Sequence, residues 1–226
     1  MTELVMAKAR LRRDVPAVAF AALLVPTGTD HQVAASHRLL WSLYADTPDR
    51  PRDFLWRQTQ AGEFLMLGPR APVDTHGLFE LEHKAFAPEL APGDRLGFSL
   101  RANATVSRPT AHGQRGVRHD VVMDLLHRTP GPRAEARHEV MQTAARDWLA
   151  RQGEAHGFAL RGDVVVDGYD RVAMPRQRGK PAVFGVLDMS GVVEITDPER
   201  FLAKLRQGFG RARAFGCGLM LIRRVS

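Results

Sequence analysis

Two successive runs of strand, helix, strand, strand, weak helical turn or helix, and strand, divided by a proline- and glycine-bearing stretch at 87–94, predict an α+β fold of two tandem ferredoxin-like units. A hydrophobic fraction of 44% over 226 residues is enough to build real cores and argues against disorder. The units divide as residues 1–88 and 95–226, with 89–94 as the linker.

Leu4–Leu11 opens the first unit as a strand. The basic start and the apolar run at 15–26 imitate a secretory signal, but Glu3 and Asp14 interrupt it and no small-residue cleavage site follows. That run is also too short for a bilayer. A short core helix beginning near Pro16 is therefore expected, in a protein that stays inside the cell. Residues 31–46 have helical spacing, with Val33, His37, Leu40, Trp41 and Tyr44 on one stripe. Residues 53–67 hold two apolar runs split by Gln60, Ala61 and Gly62, the mark of a hairpin, and 78–86 reads as a further strand. Pro88, Pro92 and Gly93 place the linker. The second unit then reads as a strand at 95–106, a long helix at 135–152, strands at 158–166 and Ala182–Ile195, a helix at Pro198–Gln207 and a last strand at 217–222. Asp197 can accept an orphan N–H at the start of that last helix while Pro198 fills its first turn.

Charge narrows the partner. Lys and Arg number 32 against 25 Asp and Glu, a net charge of +7, and the pI is near 10.4. A field of that sign favours polyanions, of which nucleic acid is the commonest. The single cysteine, Cys217, excludes an intramolecular disulfide and a cysteine-based zinc site.

Near the C-terminus, residues 208–222 read GFGRARAFGCGLMLI. Gly208, Gly210, Gly216 and Gly218 tolerate positive φ and close backbone approach, so this loop predicts backbone N–H groups converging on an anion with Arg211 and Arg213 supplying charge. A purely structural turn is the alternative. No GK[ST] follows, and no strand-loop-helix with a following acid supports a dinucleotide fingerprint. Basic residues recur elsewhere. Arg101 and Asn103 end a strand, Arg108, Arg115 and Arg118 lie in a loop-like stretch at 107–119, and Arg171, Arg176, Arg178 and Lys180 lie in a stretch at 169–180 that reads as a projecting hairpin. Such a ribbon can enter a nucleic-acid groove, although charge also guards exposed sheet edges.

Taken together, SHRLLWSLYAD, RDFLWR, KAFAPELAPGDRLGFSLRAN, RHDVVMD and GFGRARAFGCGL resemble the CasE family, the CRISPR RNA-processing endoribonucleases of type I-E Cascade, in the RAMP superfamily of paired ferredoxin-like folds. The resemblance spans nearly the whole chain. It implies a metal-independent ribonuclease, without cofactor, that binds the repeat stem-loop of precursor CRISPR RNA and cuts at its 3′ base. The RNA's own 2′-OH would attack the adjacent phosphate, leaving 2′,3′-cyclic phosphate and 5′-OH ends. The enzyme would then stay bound as a Cascade subunit in the cytoplasm.

His37 is the expected catalytic residue. An imidazole with a pKa of ~6.5 can take a proton from a 2′-OH or give one to the leaving 5′-oxygen near neutral pH. Some relatives carry a tyrosine three residues earlier, where this chain has Ala34, so no second catalytic side chain carries over. Arg38 sits beside His37, and Arg213 with the glycine-rich loop would stabilise the developing charge. A-form RNA exposes shape and phosphate more than base edges, so Arg101, Asn103, Arg115, Arg118, Arg171 and Arg211 would hold the RNA, and the hairpin bearing Arg176, Arg178 and Lys180 would probe near the cut. Two rivals remain. His119-Asp120 with Asp124 suggests a metal-dependent HD-type hydrolase, and the basic loops alone suit a non-catalytic RNA-binding subunit.

Overall fold

The computed structural model describes residues 4–13, 29–44, 52–109, 116–174 and 181–225, with 29–35 by backbone alone. The expected helix near Pro16, Arg115, and the hairpin tip with Arg176, Arg178 and Lys180 lie outside these residues.

The first sheet consists of β1 (Leu4–Leu11), β2 (Leu55–Gln60), β3 (Glu63–Gly68) and β4 (Phe79–Phe86), antiparallel in the order β2-β3-β1-β4, with helix α1 (Thr29–Ser42) between β1 and β2. That is the ferredoxin-like order, and no helix joins β3 to β4, as the weak pattern there predicts. Period-two alternation sets the faces. Ala7 and Ala9 of β1 join Leu40, Phe54, Trp56, Phe64 and Met66 in one core. Lys8 and Arg10 emerge on the other face and pair with Glu63 of β3 at 3.0 and 3.3 Å.

The second sheet holds β5 (Arg95–Ala102), β8 (Phe158–Met174), β9 (Ala182–Ile195) and β10 (Met220–Arg224) in the order β10-β5-β9-β8, which repeats the first. Three helices, α2 (Val121–Arg128), α3 (Arg133–His156) and α4 (Pro198–Gln207), belong to this half. Trp148 and Leu149 of α3 and Phe201 and Leu205 of α4 pack with Leu96, Phe98, Leu100 and Met189 of the sheet. Asp197 caps α4 as expected, its carboxylate accepting from the Arg200 N–H at 3.1 Å. The two halves meet where Leu219 packs on Leu4, Leu55 and Leu67 of the first sheet.

Several boundaries differ from the sequence reading. The strand expected at 95–106 breaks at Asn103, whose buried amide donates to the Gly185 carbonyl at 2.7 Å. Beyond the break, β6 (Thr105–Arg108) pairs with β7 (Val117–Asp120) as a separate two-stranded ribbon, so the ends of the expected loop at 107–119 are strands. The strand expected to end at 166 continues to Met174, because irregularities between Arg161 and Val165 and between Val166 and Gly168 let pairing with β9 resume. The last strand begins at Met220 rather than 217.

Asp120 closes β7 and caps α2, accepting from the Val122 and Met123 N–H groups at 3.0 and 3.1 Å and from the Tyr169 hydroxyl at 2.9 Å. Asp120→Ala removes a helix cap and strands a half-buried phenol, so stability should fall by about 2 kcal/mol in chemical denaturation. Asp120→Asn, which keeps an acceptor, should recover most of that loss.

Candidate active site

Helix α1 presents Leu39 and Leu40 to the first core, and the turn after it adds Leu43 and Tyr44, all buried. His37 and Trp41, one turn apart, lie at the shoulder of that stripe and are half-buried. The imidazole sits between two rings, with centroids 6.1 Å from Trp41 and 6.0 Å from Phe215. Phe215 in turn stacks on Phe184 of β9 at 6.0 Å. An open cleft of about 490 Å³ is lined by His37, Arg38, Trp41, Arg52 and Ala214. His37 thus faces a cleft shared by the two halves rather than the sealed interior.

The glycine-rich loop supplies the far wall. After α4, the chain passes Gly208 to a 3₁₀ turn, Arg213–Phe215, and on to β10. The Trp56 indole N–H donates to the Ala214 carbonyl at 3.0 Å, which fastens the loop across edge strand β2. Glycine is required there twice over: Gly216 has φ 76°, and a Cβ on it would stand 3.1 Å from the Trp56 ring. Ala212 is held at φ 51°, a left-handed conformation unusual for a residue with a Cβ.

This geometry alters the expected role of the loop. The N–H groups of Gly208, Phe209, Arg211, Phe215 and Gly218 donate to the carbonyls of Lys204, Gly218, Asn103, Ala212 and Arg101. Those five amides brace the loop and do not converge on an anion. The glycines serve close approach: Gly208 lies against Leu55, Gly210 against the Asn103 carbonyl, and Gly218 against the Phe209 carbonyl. The loop acts on the cleft chiefly by positioning Arg213, Ala214 and Phe215.

Charge collects on one side of the cleft. Burial lowers the pKa of His37 below 6.5, and the Arg52 and Arg38 guanidinium groups push it in the same direction. Arg52 is itself lowered by burial and by Arg213, and Lys204 by burial and by Arg213. His37, Arg38, Arg52, Arg213 and Lys204 therefore form one connected positive field. Because the native state holds the His37 proton less readily than the unfolded chain, this site's contribution to stability falls as pH drops below 6.5. In the free protein, the His37 ring resonances should titrate with a midpoint below 6.5 in an NMR pH series, and Arg52→Gln should move that midpoint upward.

The other predicted residues fall into separate groups. Arg38 is exposed and lines the cleft, while Arg211 and Arg213 are exposed on the glycine-rich loop. Arg101 is paired with Asp188 and, at 3.7 Å, with Asp170, within a half-buried cluster that Arg57 joins by donating to Ser99 at 2.9 Å. Asn103 is buried, and its carbonyl accepts the Arg211 N–H at 3.0 Å, so it braces the loop from below. Arg118 and Arg171 are exposed on β7 and β8, which the Tyr169–Asp120 hydrogen bond ties together. The acidic half of the HD pattern has structural partners: Asp120 caps α2, while Asp124 accepts from Arg108 and Arg128. Among the described residues, no group of three or more His, Cys, Asp or Glu is arranged to hold a metal ion. Nor, among them, is any helix long and apolar enough to cross a membrane.

The sequence does not single out Arg52 or Phe215, and it places Trp41 only on the apolar stripe of its helix. RDFLWR contributed only to the resemblance, and Arg52 has the local look of any charged residue ahead of a strand.

A CRISPR associated protein family profile matches residues 5–224. The chain is 32% identical to the CRISPR-associated endoribonuclease Cse3 of Thermus thermophilus, over 62% of this chain and 60% of that protein's length. It is 29% identical to the CRISPR system Cascade subunit CasE of Escherichia coli K12, over 81% of this chain and 88% of that one. Its fold superposes on a structure of the CRISPR endoribonuclease Cse3 bound to a 19-nucleotide RNA with a TM-score of 0.68 and 25% identity, covering 97% of this chain and 99% of that one. With nearly its full length matched and a paired-sheet fold in common with an RNA-bound relative, this chain belongs to the CRISPR associated protein family.

Proposed function

We propose that this chain is a metal-independent endoribonuclease that binds the repeat stem-loop of precursor CRISPR RNA, cuts at its 3′ base by 2′-OH attack, and stays bound as a subunit of a type I-E Cascade complex. The observation that carries this reading is the placement of His37: half-buried, gripped between Trp41 and Phe215, and open to a cleft whose charged lining is cationic. An imidazole with a lowered pKa is neutral near pH 7 and can accept the 2′-OH proton; returned to the 5′-oxygen, the same proton completes the transfer. Only RNA carries that nucleophile. The homologous Cse3 is named an endoribonuclease and has been solved with RNA, and the homologous CasE is named a Cascade subunit, which supports the substrate class and the assembly. Residues 1–88 would form the catalytic unit and 95–226 the main RNA-holding unit, joined by 89–94, and the protein would act in the cytoplasm.

The deciding experiment mixes the purified protein with a transcribed repeat hairpin in excess chelator and identifies the product ends. Cyclic phosphate and 5′-OH termini are expected. Products bearing 3′-OH and 5′-phosphate, or cleavage only after a divalent metal is restored, would refute this chemistry. Hairpin affinity should also fall with salt by ~0.7 to 0.9 log units per log of salt for each phosphate contact. Arg118→Ala and Arg171→Ala should each flatten that slope by about one contact if they hold phosphate.

A further inference from the structure

Half-buried arginines elsewhere in this protein have carboxylate neighbours. Arg70 meets Asp53 at 3.2 Å, Arg57 approaches Asp188 at 3.7 Å, and Arg101 pairs with that same Asp188. Arg52 differs. Its guanidinium is half-buried, its Nη1 is buried without a hydrogen-bond partner among the described residues, and the charge that perturbs it is another cation, Arg213. A buried N–H donor left unmade is costly, and placing a second cation beside it adds to that cost. Arg52 lines the same cleft as His37 and Arg38. A planar fork of donors with no carboxylate partner among the described residues, beside an imidazole and facing open space, matches what a doubly liganded phosphate requires.

We propose that Arg52 is a catalytic residue that holds the non-bridging oxygens of the scissile phosphate, with Arg213 approaching from the loop side. This inference rests on the ribonuclease reading above and supplies the second catalytic side chain that Ala34 leaves missing. In the step itself, the 2′-oxygen loses its proton to a base and bonds to phosphorus. The P–O5′ bond then breaks, and the 5′-oxygen takes up a proton. Negative charge peaks on the non-bridging oxygens between those events, where the Arg52 N–H groups are already in place and need no rearrangement. Lysine would keep the charge and lose the fork.

The test compares wild type, Arg52→Gln and Arg52→Lys in single-turnover cleavage of the repeat hairpin at saturating protein, with melting temperature and hairpin affinity measured alongside. Arg52→Gln should slow cleavage by about 10²-fold at unchanged affinity and melting temperature, and Arg52→Lys should recover part of the loss. A phosphorothioate at one non-bridging oxygen of the scissile phosphate should slow the wild type and add little to the slow rate of Arg52→Gln. As a readout independent of cleavage, inorganic phosphate should shift the His37 ring resonances in wild type and not in Arg52→Gln. Full-rate cleavage by Arg52→Gln, an undiminished thio effect, or a rate loss matched by unfolding in both variants overturns the inference while leaving the ribonuclease reading intact. If phosphate binds through Arg52 but the wild type leaves the hairpin uncut, the phosphate site stands and the ribonuclease reading fails.

Discussion

His37→Ala should lower the single-turnover rate of hairpin cleavage by about 10²- to 10⁴-fold while leaving hairpin affinity unchanged. The reasoning is local. No hydrogen bond to a described residue holds the imidazole, and its neighbours are the rings of Trp41 and Phe215. Removing it leaves the core leucines of α1 and the turn after it in place, since Leu39, Leu40 and Leu43 carry that packing. Stability should therefore change by less than about 1 kcal/mol, or rise slightly at acidic pH because a group reluctant to be protonated is gone. Circular dichroism, melting and electrophoretic mobility shift would be run on the same preparation. Normal cleavage by His37→Ala would reduce this protein to an RNA-binding subunit, whereas loss of binding and folding together would make His37 a structural residue.

Gly210→Val should destabilise the protein by about 3 kcal/mol and lower its melting temperature by roughly 6–12 °C. Gly210 has φ 69°, and a Cβ there would lie 2.6 Å from the Asn103 carbonyl oxygen, a backbone atom that cannot swing aside. That carbonyl is also the acceptor of the Arg211 N–H, so relief of the clash breaks the bridge between the loop and Asn103 just beyond β5. Because the loop positions Ala214 and Phe215 against Trp56 and His37, cleavage by the folded fraction should fall as well. Gly131→Ala is the control: its φ is 95°, but nothing lies within 4 Å of the added Cβ, so only backbone strain of about 1 kcal/mol is expected. Equal stability losses in the two variants would show that the loop is not held against Asn103.

Much of the fold was legible because its signals are local. Alternation in LVMAKARL, the Gln60-Ala61-Gly62 turn and the Asp197-Pro198 cap each depend on residues within a few positions, and each element stands where its pattern placed it. The break at Asn103 was not legible: the strand ends there because a side chain finds the Gly185 carbonyl, 82 residues away, and no spacing rule reports such a partner. The extension of β8 to Met174 is similar, since pairing with β9 continues through irregularities that a two-residue period counts as a stop.

The site divides along the same line. A surplus of arginine and a run of glycines are properties of the chain and point to a polyanion and to a loop of unusual backbone, whereas His37 on its half-apolar helix was singled out only with the family resemblance beside it. Which arginines keep a free charge is a property of the assembled molecule, because neutralisation depends on carboxylates brought from other strands. Arg101 acquires Asp188 and Asp170, while among the described residues the charge acting on Arg52 is that of Arg213, and Arg52 faces the cleft. The glycines likewise serve close contact, Gly208 and Gly216 across the two halves and Gly210 and Gly218 within the second, for φ and proximity become constraints only once Leu55, Trp56, Asn103 and Phe209 stand against them.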